Sequence, residues 1–217
     1  FYGTAVILEL CKEYGVKKVM YSGTSSAYGL KNSNNIRKAL GLKYDSSLKE
    51  DMPRDCLNPY SVSKTAAEDL CKMYYNLWGL KTVIFRYFNV YGERQPLKGQ
   101  YAPVIGIFLR QRANNEPMTI VGDGLQTRDF THVKDIVQAN VLAALSDNEQ
   151  IYGEIFNVGS GRNHSVLDIA KLMGGEYVHI PPRKGESRET LANIDKISEM
   201  LGYEPSVKLE EWIDQNK

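Results

Sequence analysis

Thr82-Val83-Ile84-Phe85-Arg86 reads as a β-strand rich in β-branched and aromatic residues, with continuous apolar character up to the arginine. Such a run suits a strand covered on both faces, as in a parallel sheet flanked by helices. The flanking segments agree. Upstream, residues 60–78 place Ala67, Leu70, Cys71, Tyr74 and Trp78 on one helical stripe, and Gly79 ends it. Earlier still, Lys17-Lys18 lead into a short strand, Val19-Met20-Tyr21; downstream, Ile155-Phe156-Asn157-Val158-Gly159 is another buried strand. Strands alternating with amphipathic helices predict an α/β fold built on a doubly wound parallel sheet.

The other segments fit round this frame. The opening residues run as a helix with Val6, Leu10 and Tyr14 on one face. Residues 30–57, rich in Asn, Ser, Lys and Asp, form a long connection, either a solvated loop or an insertion beside the site. Pro103 to Ala113 is a helix burying Val104, Ile107 and Phe108; Met118 to Val121 is a strand and Gly122-Asp123-Gly124 a turn. Thr127 to Val133 continues as a strand into a helix at 133–145. Ser165 and Asp168 form a capping box for a helix at 166–173, and Tyr177 to Ile180 is a strand. Asp195 caps a helix through Leu201, Gly202 stops it, and Trp212 anchors a last amphipathic segment.

Composition narrows the function classes. The 217 residues carry Lys+Arg 27 against Asp+Glu 26, net +1, without a basic stripe, so neither nucleic acid nor an anionic membrane surface is implied as a partner. No apolar run approaches the ~18 residues of a membrane span. Cys11, Cys56 and Cys71 are odd in number and lack CxxC spacing, which favours reduced thiols in a cytoplasmic compartment. His132, His164 and His179 are scattered, giving no metal-ligand spacing, and His132 reads as structural.

The chemistry concentrates at Tyr60-Ser61-Val62-Ser63-Lys64. Residues four apart share a helix face, so the phenol and the ammonium can address one substrate atom. A free phenol ionises near ~10, but an ammonium about 4 Å away stabilises its anion by ~4 kcal/mol at an effective dielectric of ~20. The same spacing occurs at Tyr14 and Lys18, where Gly15 follows the tyrosine and marks a helix end. Tyr60 instead follows Asn58-Pro59, and proline suits a first helical turn. Ser22-Gly23-Thr24-Ser25-Ser26 follows the strand at 19–21, where ligands of open α/β sheets sit; a plain hydroxyl-rich turn is the other reading.

Three motifs in order, Ser22 to Ser26 closed by Tyr28-Gly29, Asn58-Pro59-Tyr60-Ser61-Val62-Ser63-Lys64, and Arg86-Tyr87-Phe88-Asn89-Val90-Tyr91-Gly92, resemble the extended short-chain dehydrogenase/reductase family. Within it the likeness is to NAD-dependent nucleotide-sugar epimerases and dehydratases of the UDP-glucose 4-epimerase type. The resemblance implies a Rossmann-type sheet, with 1–99 and 127–160 as the latter part of an NAD-binding domain. Residues 100–126 and 161–217 would form a smaller α/β nucleotide-sugar-binding domain. The family's glycine-rich pyrophosphate turn occurs nowhere in these residues, so the expectation is a chain whose N-terminal part is missing and which binds NAD poorly alone.

By the same resemblance Tyr60 is the base, Thr24 holds the reacting sugar oxygen, and Lys64 supports Tyr60 and the nicotinamide ribose. Ser22 and Phe88 lie by the cofactor, and Asn89, Arg128, Arg183 and Glu186 hold the nucleotide sugar. Phe88 also fits a core aromatic, and Arg128 an ion pair with Asp129. Lys184 stands where proline is usual in the family. A homodimer would form through helices 1–14 and 60–78.

The reaction expected is 4-epimerisation of a UDP-glucose or UDP-N-acetylglucosamine type substrate through a transient 4-keto sugar. The runner-up is a 4,6-dehydratase or decarboxylase. The family's dehydratases carry Asp-Glu directly after the threonine and its decarboxylases a Glu at the second place; Ser25 and Ser26 stand there. Hydroxyls cannot replace carboxyls in that acid/base role. A non-catalytic dinucleotide-binding protein is the third reading, and such descendants lose the Tyr or the Lys.

Overall fold

The computed structural model describes residues 1–29, 47–99, 102–182 and 187–217. The expectations for Arg183, Glu186 and residues 30–46 lie outside these. The main sheet is parallel, in the order β1 (Val19–Thr24), β2 (Thr82–Tyr87), β6 (Ile155–Val158). Val19 pairs with Thr82 through to Thr24 with Tyr87, so the hydroxyl cluster and the Arg86-to-Gly92 motif leave the sheet side by side.

Alternation along β2 explains why its sequence is apolar throughout. Ile84 points to one face, packing with Leu8 of α1 (Tyr2–Glu13), Cys71 and Tyr74 of α2 (Pro59–Trp78), and Ile155. Val83 and Phe85 point to the other, packing with Ile136, Ala139 and Ala143 of α4 (Val133–Leu145) and with Ile197 and Leu201 of α6 (Asp195–Leu201). Helices therefore cover both faces, as the doubly wound reading expects.

A second core is built from Ile105 and Phe108 of α3 (Val104–Ala113), Met118 and Ile120 of β4 (Met118–Val121), Ile169 and Met173 of α5 (Val166–Met173), and Trp212 and Ile213 of α7 (Leu209–Asn216). Beside it β4 pairs in parallel with β8 (Tyr177–Ile180). Strand β5 (Thr127–His132) pairs in parallel with β3 (Asn89–Tyr91) and antiparallel to β7 (Asn163–Ser165).

Several local readings are corrected. In α1 the face that packs inward carries Leu8 and Cys11, while Val6, Leu10 and Tyr14 are exposed. The helix is apolar on two flanks, and periodicity alone cannot choose between them. Trp78 is also exposed, although its ring lies 4.6 Å from that of Tyr74. In α3 the buried pair is Ile105 and Phe108, whereas Val104 and Ile107 are half-buried and line a cavity. Asp195 is the first residue of α6 rather than its cap; the Asn193 side-chain oxygen accepts from the Asp195 N–H at 3.2 Å. Residues 47–57 are not a solvated loop throughout: Leu48 is buried and bridges to Ala192. Ile197, Leu201 and Tyr203 pack against the main sheet. Among the described residues no helix is long and apolar enough to cross a membrane.

Candidate active site

Two short capping structures deliver the candidate residues. The Asn58 side chain accepts from the Ser61 N–H at 2.8 Å, the Ser61 hydroxyl accepts from the Asn58 N–H at 3.3 Å, and Pro59 opens α2. This fixes Tyr60 in the first turn of α2, 47% exposed, on the wall of a cleft of about 1240 Å³. Across it β1 ends at Thr24, whose hydroxyl accepts from the Ser26 N–H at 3.2 Å and starts the 3-10 turn Ser25–Tyr28. Thr24, Ser25, Ser26, Asn58, Tyr60, Phe88, Asn89, Glu93 and Arg94 all line this cleft. Glu93 is the one carboxylate among its described lining residues.

Lys64 and Ser22 are not among the residues that line this cleft. The Lys64 ammonium donates to the Ser22 main-chain carbonyl at 2.8 Å, and the Ser22 hydroxyl lies 3.4 Å from the Tyr87 hydroxyl. Phe88 is buried, packing with Tyr28, Leu48 and Ala192, so it is at once a core aromatic and part of the cleft wall. Asn89, held by donation from its amide to the Asp129 main-chain carbonyl at 3.1 Å, lines the cleft and two adjoining cavities of about 350 and 190 Å³. Arg128 lines both of those cavities and donates to the Thr127 carbonyl at 2.8 Å. Thr24, Tyr60, Phe88 and Asn89 thus line one cleft, Lys64 and Ser22 bond to each other outside its lining, and Arg128 stands at the adjoining cavities.

Beneath the site lies a charge pair that the sequence reading did not single out. Arg86 donates to Glu68 from Nε at 3.0 Å and from Nη2 at 2.8 Å, with side chains 1% and 0% exposed. Arg86 also lies over the Tyr28 ring at 4.8 Å, and Arg54 approaches Glu68 at 3.3 Å. Burial opposes the Arg86 charge, but Glu68 and Tyr28 more than offset it, leaving its pKa above the ordinary value. Burial pushes the Tyr28 phenol up to about 12 although Arg86 pulls the other way, so it stays a neutral donor to Asn157 at 2.6 Å. The pair links α2 to β2 directly behind Gly23, where an added Cβ would lie 2.5 Å from the Phe85 carbonyl oxygen and 3.2 Å from Glu68 Oε1. A signal existed: an arginine closing a buried strand needs a carboxylate, and Glu68 continues the Tyr60-Lys64 face by four residues.

Asp129 was also missed as a hub. Its carboxylate accepts from the Ser160 N–H at 2.7 Å, the Gly161 N–H at 3.0 Å and the Ala192 N–H at 3.1 Å, which turns it inward. Burial nonetheless raises its pKa against these bonds. His132 is structural: it caps α4 by accepting at Nδ1 from the Lys134 N–H, and burial lowers its pKa.

A hydroxyl-lined cleft at the carboxyl ends of a doubly wound parallel sheet, with a Tyr and a Lys on the next helix, defines a Rossmann-type α/β protein with short-chain dehydrogenase/reductase features. Residues 1–159 match the model of the NAD dependent epimerase/dehydratase family, and the chain belongs to that family. It is 37% identical over 218 residues to a putative UDP-glucose 4-epimerase of Methanocaldococcus jannaschii, covering 97% of this chain and 65% of that protein. The structure of UDP-glucose 4-epimerase from Thermotoga maritima with UDP-glucose matches with a TM-score of 0.86 and 36% identity, over 99% of this chain and 66% of that one. UDP-glucuronic acid 4-epimerase from Bacillus cereus, solved with UDP-glucuronic acid and NAD, matches with a TM-score of 0.82 and 32% identity, over 98% and 64%.

The residues present fit the nicotinamide end of such a cofactor. Lys64 and Tyr60 offer an ammonium and a hydroxyl at the end of β1, and Phe88 offers an apolar wall. No glycine-rich turn for the pyrophosphate occurs in these 217 residues.

Proposed function

We propose that the protein is an NAD-dependent nucleotide-sugar 4-epimerase acting on a UDP-glucose or UDP-N-acetylglucosamine type substrate. The observation that carries the reading is that Tyr60 and Thr24 line one cleft, while the Lys64 ammonium, on the helix that carries Tyr60, is held at the Ser22 carbonyl two residues before Thr24. In this reading Tyr60 takes the proton from the sugar C4 hydroxyl, and Thr24 hydrogen-bonds the same oxygen. Lys64 stabilises negative charge on the Tyr60 oxygen and donates to the nicotinamide ribose. NAD, when bound, supplies the hydride acceptor and donor. Tyr60 returns the proton once the keto sugar has presented its other face. Ser22 and Phe88 border the nicotinamide; Asn89 and Arg128 hold the nucleotide diphosphate, a guanidinium fork matching phosphate oxygens, and Arg183 and Glu186 hold the nucleotide and its ribose.

The family name covers lyases as well, and the residues that follow Thr24 favour the isomerase. Elimination or decarboxylation calls for additional acid/base groups, yet serines occupy the two positions after Thr24. We assign 1–99 and 127–160 to the cofactor-binding part and 100–126 with 161–217 to the substrate-binding part, whose α6 packs back against the main sheet. A homodimer through α1 and α2 is supported by exposed Ile7, Leu10, Leu77 and Trp78.

The test incubates the full-length protein with NAD+ and a panel of UDP-, dTDP- and GDP-sugars, with products read by mass and proton NMR. A product of unchanged mass with inverted C4 is expected. Loss of water or carbon dioxide would refute the epimerase assignment, and no conversion of any sugar would favour a non-catalytic protein. Tyr60→Phe should abolish turnover with the fold intact; retained turnover would refute its role as base.

A further inference from the structure

Lys64 needs a fixed position to act on Tyr60, yet a lysine side chain is a flexible four-carbon stem. One hydrogen bond to the Ser22 carbonyl does not by itself fix it. Tyr21 supplies further restraint. Its hydroxyl donates to the Lys64 main-chain carbonyl at 3.2 Å, and the Lys64 ammonium lies over its ring, 5.3 Å from the centroid. Alternation along β1 turns Val19, Tyr21 and Gly23 toward α2. Gly23 carries no side chain, and Val19 and Tyr21 both pack in the core cluster that contains Cys71 and Tyr74 of α2. Tyr21 is thus the β1 side chain lying beneath Lys64.

We propose that Tyr21 is the positioning residue for Lys64, gripping both its backbone and its ammonium so that the charge stays at the Ser22 carbonyl, on the helix that carries Tyr60. This rests on the epimerase reading only for its catalytic consequence. Burial, with Cys71 and Glu68 nearby, raises the Tyr21 pKa well above its ordinary value, so it remains a neutral donor through the working range. Tyr21 touches neither substrate nor the reacting atoms in this scheme; it acts through Lys64.

The test compares full-length wild type with Tyr21→Leu and Tyr21→Phe. Trace acylation with acetic anhydride, mapped by peptide mass spectrometry, reports the Lys64 labelling rate against Lys72 on the same helix. Losing the ring should raise the Lys64/Lys72 ratio about 2–5-fold in Tyr21→Leu, the range expected for a cation–π contact. Tyr21→Phe, which keeps the ring, should stay nearer wild type. In turnover, the acid limb of the pH–kcat profile should move up by about 0.3–0.7 in pH for Tyr21→Leu, the same fold-change read as a free energy. An unchanged labelling ratio, or lowered thermal stability with an unmoved acid limb, overturns the proposal. Labelling needs no turnover, so a wild type that converts no sugar refutes the epimerase reading while the ratio still decides the role of Tyr21.

Discussion

Replacing Glu68 by Gln tests whether the buried pair beneath the cleft holds the site together. The two carboxylate–guanidinium contacts, at 3.0 and 2.8 Å, join side chains that are 0% and 1% exposed. The amide keeps the shape but leaves the Arg86 charge buried without a counter-charge, and breaking such a pair costs about 3–5 kcal/mol. The loss of the longer Arg54 contact adds little, because Arg54 is partly exposed and retains two bonds to Asp69 at 2.8 Å. For a chain of this size ~3–5 kcal/mol corresponds to a fall in Tm of roughly 6–20 °C. Urea unfolding followed by far-UV circular dichroism gives the free energy by linear extrapolation. The double variant Glu68→Leu/Arg86→Met removes both charges and should be clearly more stable than Glu68→Gln. A single-variant cost below about 1 kcal/mol, or a double variant no better than the single, would refute the reasoning.

Three further outcomes follow from the same structure. Asp129→Asn turns a donor either toward the Gly161 and Ala192 amides, which share Oδ2, or toward the Ser160 amide at Oδ1, leaving one or two N–H groups unpaired at ~1–3 kcal/mol each; denaturant unfolding checks it, and an unchanged midpoint contradicts the hub. His132 has a native pKa below its unfolded value of about 6.5, so its contribution is complete above that value and is lost as pH falls through the native one. His132→Asn keeps a cap without titrating, so the decline in Tm between pH 7 and 5 should be shallower; parallel curves for the two proteins would contradict this. Gly23→Ala would press a methyl against the Phe85 carbonyl, widening the β1–β2 pairing. Faster amide exchange at 19–24 and 82–87 is expected, and an unaltered exchange pattern would show that the strands absorb the methyl.

The elements that the sequence declared without ambiguity are those with a single physical solution. Helix α5 spans Val166–Met173, with Ser165 and Asp168 forming the reciprocal cap, and β4, β8 and the start of α4 fall where period and turn chemistry put them. Thr82 to Phe85 required cover on both faces, so the doubly wound sheet followed. The candidate site was legible as residue types, because a Tyr and a Lys four apart on a capped helix share one face and the strand before them ends in hydroxyls. What tertiary structure alone decided was which partners satisfy buried groups. The Arg86–Glu68 pair spans 18 positions and the Asp129–Ala192 contact 63, and no local periodicity encodes a bond across such separations. Helix α1 shows the same limit: its apolar flanks are equivalent by period, and only packing against α2 and β1 selected Leu8 and Cys11 over Val6 and Leu10.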